Sequence, residues 1–169
     1  MYLPEYAVTL EQLSVDHSDA LLAFERENRA YFAASVSDRG DEYFATFSVL
    51  HAGLLAEQEA GISRFHVLVD DSGAVVGRVN LMDLEDGEAE VGCRIAEKAA
   101  GRGLATAAVR AILELAVAKY GLTKLTAQTT LDNARSQAVL SRVGFRVVGE
   151  RTVGGRPGTA YELMLEDSP

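Results

Sequence analysis

The chain has 169 residues, of which 48% are hydrophobic and 24% charged, with a formal net charge of −9 and a single cysteine, Cys93. These values suit one globular core spanning residues 1–169 and exclude an internal disulfide; they argue against nucleic acid, whose phosphates are held by Lys and Arg. No apolar run approaches the roughly 18 residues that cross a bilayer, and MYLPEYAVTL has no basic or continuously apolar leader character, so a cytoplasmic setting without a membrane partner is expected.

Residues 5–13 read as a first strand. Asp16 is placed as the N-cap of a helix reaching about residue 34, with Leu21, Leu22 and Phe24 on its apolar side. The polar stretch 35–43 is a loop, and a second helix runs over 42–60, stopped by Gly61. The period then changes. RFHVLVD (64–70) and AVVGRVNLMDL (74–84) are strands joined by a DSG turn, and EDG (85–87) leads into EAEVGCRIA (88–96). In that strand Ala89, Val91, Cys93 and Ile95 share one face, and Glu90 and Arg94 the other. A helix over about 102–120 follows, then a strand at 123–129, a short helix ending at Gly144, and two strands, FRVVGER and TAYELML, joined by VGGRPG. The order βααβββαβαββ describes a mixed sheet flanked by helices.

The segment KAAGRGLAT (98–106) stands out against the acidic balance. A helix N-terminus offers unpaired N–H groups and partial positive charge, and glycines allow backbone angles that turn successive N–H groups toward an anion. Gly101 and Gly103 open the helix, while Lys98 and Arg102 add charge. The string fits neither a Walker loop nor a Rossmann fingerprint. His17, His51 and His66 are scattered, so no metal site is expected, and no G-x-S-x-G elbow supports a hydrolase.

The sequence EVGCRIAEKAAGRGLATAAVRAIL resembles the coenzyme-A-binding motif of the GNAT acetyltransferase superfamily, [QR]-x-x-G-x-[GA], with Lys98 in the Gln/Arg position. DNARSQAVLSRVGFRVVG resembles its N-x-x-[SA]-x-x-[LV]-x-x-x-x-GF signature through Asn133, Ser136, Val139, Gly144 and Phe145. FERENRAYF together with NARS is similar to the Rim-type branch, whose members acetylate N-terminal amines of ribosomal proteins. The resemblance covers residues 64–165 best. It implies an α/β GNAT-like fold with a mixed, mostly antiparallel sheet of six or seven strands and helices on both faces. It further implies acetyl-CoA as co-substrate, an amine acceptor that is a protein N-terminus or a small amine, and compatibility with a homodimer. A non-catalytic acyl-CoA-binding module is the alternative from another class.

The resemblance also assigns roles. Backbone groups of Cys93, Arg94 and Ile95 would meet pantetheine, and Lys98 and the amides of Ala100, Gly101, Arg102, Gly103, Leu104 and Ala105 the pyrophosphate. Asn133 would bind the pantetheine arm or shape its turn. A tyrosine of many members is replaced by Leu140, which leaves Ser136 as the candidate proton donor. Glu90 is the candidate general base, because its strand face lies opposite Val91 and Cys93. A buried Cys93 is expected to serve as a small hydrophobe rather than a nucleophile.

Overall fold

The computed structural model describes residues 1–165. Its strands are β1 (Tyr2–Leu3), β2 (Val8–Gln12), β3 (Arg64–Asp70), β4 (Val75–Glu85), β5 (Glu88–Ile95), β6 (Lys124–Thr130), β7 (Arg146–Val153) and β8 (Arg156–Met164). They form one sheet in the order β1-β2-β3-β4-β5-β6-β8-β7. The β5–β6 pair is parallel and the others antiparallel. The mixed sheet is as expected, but it has eight strands rather than six or seven. The extra strand is β1, folded back on β2 by a turn in which Ala7 adopts φ 52°.

The helices are α1 (Ser18–Glu27), α2 (Arg29–Ala33), α3 (Asp41–Ala45), α4 (Phe47–Glu59), α5 (Leu104–Ala118) and α6 (Ala134–Val143). The single helix expected over 16–34 is divided. A 3-10 turn, Val15–His17, precedes α1, and Asn28 separates α1 from α2. Asn28 donates from Nδ2 to the Phe24 carbonyl at 2.9 Å and accepts the Glu97 N–H at 2.9 Å, a local alternative to the helical ladder. The helix expected over 42–60 breaks in the same way at Thr46, whose hydroxyl donates to the Glu42 carbonyl at 2.8 Å.

Two cores lie on the two faces of the sheet. On one, Ala108, Val109, Ile112 and Ala116 of α5 pack with Leu68, Leu81, Val91 and Leu125. On the other, Leu21, Phe24, Phe32 and Phe47 from the first helices meet Phe65 and Val67. Strand β3 feeds both cores by alternation, since Val67 and Leu68 are each fully buried on opposite sides.

The feature that positions the site is a fork. β5 and β6 are in register only at Glu88↔Lys124, Ala89↔Leu125 and Glu90↔Thr126. Beyond that rung β5 stays on β4 as far as Gly77↔Ile95, while β6 stays on β8 as far as Thr130↔Gly158. The edge of β5 that faces β6 is therefore unpaired over residues 91–95.

Candidate active site

The mouth of the fork leads to the glycine loop. Gly101 has φ 78° and Gly103, the N-cap of α5, has φ 86°, conformations costly for any residue with a Cβ. A Cβ on Gly101 would meet nothing within 4 Å, so the loop opens onto free space. A Cβ on Gly103 would lie 2.9 Å from the Tyr6 hydroxyl. The first rung of α5 runs from the Ala107 N–H to the Gly103 carbonyl at 3.1 Å, which leaves the amides of Leu104, Ala105 and Thr106 directed out of the helix end. Arg102 donates to the Lys98 carbonyl at 3.3 Å, and Lys98 and Arg102 are both exposed at the rim. The helix end thus presents free backbone donors beside two exposed cations, the chemistry an anion would use. The expected helix start near residue 102 moves to Leu104, and the two glycines lie just outside it.

Glu90 stands on the last paired rung of the fork, opposite Thr126. It lines an open cleft of roughly 470 Å³ with Asp83, Glu88, Thr126, Gln128 and Arg151. Burial, and next the nearby Asp83 charge, push the Glu90 carboxyl above its ordinary value, with Arg151 opposing. That is the shift a general base for an amine requires.

Cys93 is corrected by the structure. Although it shares a strand face with the buried Ala89 and Val91, it is exposed, because the strands have parted and no β6 neighbour covers it. It is reachable from the fork. Arg94 and Ile95 continue the same unpaired edge and are half-buried.

Across the fork, Asn133 caps α6 by accepting the Ser136 N–H at Oδ1, 3.3 Å away. Ser136 itself is half-buried in the first turn. Leu140, in the tyrosine position of the resembled motif, is buried in the α5 core and fills that place with packing instead of a hydroxyl.

A family model described as the acetyltransferase (GNAT) domain matches residues 7–146. The chain belongs to the GNAT acetyltransferase family. It is 27% identical over 93 residues to a Bacillus licheniformis protein named uncharacterized N-acetyltransferase p20; the match takes in 54% of this chain and 52% of the relative, so the chain spans about half of that relative's length. Among solved structures, ribosomal-protein-S5-alanine acetyltransferase from Vibrio fischeri superimposes with a TM-score of 0.88 at 17% identity over 96% of each chain. Mycobacterium smegmatis RimJ in complex with CoA-disulfide gives 0.87 at 23%, covering 99% of this chain and 87% of that one. Spermidine N-acetyltransferase from Vibrio cholerae, solved with CoA and spermine, gives 0.80 at 18%, covering 95% and 97%. At these identities the likeness establishes the GNAT fold.

The GNAT motifs did not point to two groups of residues that the fold brings to the site. Asp83 reaches the cleft through a bulge in β4 that lies between Met82 and Glu85, and Asp83 takes φ 56° there. The other group surrounds Glu25, which is 1% exposed. Its carboxylate accepts from Arg39 Nε at 3.0 Å and Nη2 at 3.1 Å, and from Arg78 Nη1 at 2.9 Å, while Arg94 Nη1 lies 3.7 Å away. Burial alone would raise this carboxyl; the Arg39 hydrogen bond and the charges of Arg39 and Arg78 overcome it and hold Glu25 below its ordinary value. Arg94 is held down to about 10 by burial and then by Arg39, against the pull of Glu25. Only pairs far apart in sequence carry this cluster, and no local motif marks it.

Proposed function

We propose that the chain is an acetyl-CoA-dependent N-acetyltransferase that acylates a primary amine, the N-terminal α-amine of a protein or peptide, by direct attack within a ternary complex. The observation that carries this reading is the placement of Glu90 on the last rung of the fork, with an uncapped, glycine-opened helix end at the fork's mouth. The residues present fit acetyl-CoA: amides of Ala100 to Ala105 with Lys98 and Arg102 for the pyrophosphate, and the free edge at Cys93, Arg94 and Ile95 for pantetheine. When bound, acetyl-CoA supplies a thioester carbonyl as the acyl donor.

Glu90 removes a proton from the acceptor ammonium, directly or through one water, and frees the nitrogen lone pair. The neutral amine forms a C–N bond as the C–S bond breaks; Ser136 gives its proton to the departing sulfur and regains one from the proton that the new amide nitrogen sheds. Asn133 holds the first turn of α6, and so Ser136, in place through its cap. The carboxylates of the cleft favour an ammonium as the incoming form.

That acidity also supports a second reading, a small polycationic amine as acceptor. A thiol-release assay with acetyl-CoA across peptide N-termini, polyamines, aminoglycosides and free amino acids decides between them. Turnover with peptides is expected. Binding of acetyl-CoA without thiol release from any acceptor would instead make the chain a non-catalytic acyl-CoA-binding module.

A further inference from the structure

Strand β1 brings to the glycine loop a side chain that no motif marks. It folds back on β2 with Leu3 opposite Val8, and the Leu10 N–H donates to the Met1 carbonyl at 2.8 Å. Residues 4–7 make the turn between the two strands, closed by the Tyr6 N–H on the Leu3 carbonyl at 3.1 Å. Ala7 completes it at φ 52°, an angle that disfavours any residue with a Cβ. Pairing on both sides holds the turn, and the turn fixes the backbone of Tyr6.

Packing explains the ring of Tyr6 but not its hydroxyl. The ring lies with Leu3 against the α5 core, where a phenylalanine would serve as well. The hydroxyl lies 2.9 Å from the point a Cβ on Gly103 would occupy, against the N-cap of α5. It has no hydrogen-bond partner among the described residues, and Tyr6 is only half-buried. Gly103 therefore answers two demands, its left-handed angle and the close approach of this oxygen. Two residues earlier, a Cβ on Gly101 would meet nothing within 4 Å, so space remains at the loop for a ligand.

The N-terminal end of α5 carries partial positive charge and the free amides of Leu104, Ala105 and Thr106. A phenol at that end turns its oxygen lone pairs toward the charge and its hydrogen away, ready for an acceptor. A hydrogen bond from such an O–H to an ionised phosphate is shorter and stronger than one between neutral groups. The helix end alone would not bring an anion here; the GNAT domain and the parted strands beside the loop do.

We propose that the Tyr6 hydroxyl donates to a phosphate oxygen of coenzyme A, which makes the β1–β2 turn one wall of the donor site. This rests on the reading of the chain as an acetyl-CoA-dependent transferase. The pyrophosphate and the ribose 3′-phosphate offer the same chemistry, and the ligands of the test separate them.

Tyr6→Phe removes the donor and keeps the ring, so its melting temperature without ligand should match the wild type. Calorimetry on the full-length protein then compares coenzyme A, 3′-dephospho-coenzyme A and pantetheine. Tyr6→Phe should bind coenzyme A about tenfold more weakly, the loss expected for one hydrogen bond to a charged group, and bind pantetheine as the wild type does. A matching loss with the dephospho compound assigns the bond to the pyrophosphate; a loss confined to coenzyme A assigns it to the 3′-phosphate. Unchanged affinity for coenzyme A, or an equal loss with pantetheine, overturns the proposal and leaves the acetyl-CoA reading intact. A wild type that does not bind coenzyme A sinks both.

Discussion

Asp83 lines the same cleft as Glu90, although strand alternation from Met82, the register partner of Glu90, would send it to the other face. The bulge and a left-handed φ of 56° turn it back, and the Ser63 hydroxyl accepts its backbone N–H at 3.2 Å. The arrangement sets one carboxylate beside another, and the like charge makes Glu90 a stronger base. Removing that charge must lower the Glu90 pKa. In Asp83→Asn the acid limb of kcat/KM should therefore move to lower pH than in the wild type, whereas Glu90→Gln should lower kcat by ~10²-fold at neutral pH and less at high pH. Full acceptor titrations across pH, giving kcat/KM and kcat separately, check both, and unchanged profiles in both variants would remove Glu90 from the mechanism.

The glycine loop is tested by ligand-dependent melting. Acetyl-CoA should raise Tm by mass action. Gly103→Val should abolish that shift, because the side chain demands an unfavourable φ and crowds Tyr6 at the helix end. A retained acetyl-CoA shift in a folded Gly103→Val protein would contradict the anion seat.

Ser136 separates chemistry from binding. If it protonates the departing sulfur, Ser136→Ala should reduce kcat by ~10-fold or more and leave acetyl-CoA affinity nearly unchanged, since the interaction arises only as the C–S bond breaks. Calorimetric affinity alongside steady-state rates makes the comparison; a loss confined to affinity points to a binding role instead.

His66 gives the fold a pH dependence of its own. It is 2% exposed and within 2.8 Å of the Tyr120 hydroxyl, and burial, then the Lys119 charge, hold its imidazole down to about 4 from an ordinary 6.5. The unfolded chain takes up this proton first as pH falls. Stability is thus complete above pH 6.5 and declines from there toward pH 4, by on the order of 3 kcal/mol at the low end. Chemical denaturation of the wild type should show this loss between pH 6.5 and 4.5, and His66→Gln should show a flatter profile. The Glu25 cluster contributes with its own window, losing stability only below about pH 4.5 as its carboxylate is protonated.

Where one residue type answers one local demand, the sequence was informative. Gly101 and Gly103 mark left-handed angles and Gly144 (φ 108°) a helix stop, and each stands where the pattern placed it. The breaks at Asn28 and Thr46 escaped because a side chain bonding its own backbone leaves no Gly or Pro as a sign. Cys93 was assigned a buried place because alternation reports the face of a strand and not whether a neighbour covers it. Asp83 was invisible because a bulge reverses alternation, and the Glu25–Arg78 pair because it joins residues 53 apart.

The fork has a consequence for the timescale on which the backbone meets solvent. Three rungs of parallel pairing are a shallow anchor, and the amides of residues 91–95 that point away from β4 have no strand to protect them. They should exchange hydrogen for deuterium far faster than their neighbours bonded to β4, through local opening rather than global unfolding. Saturating acetyl-CoA should slow those same amides while leaving the β3–β4 ladder untouched. The sheet is left unfinished at this edge, and on the proposed reading the donor molecule would complete it for the duration of each turnover.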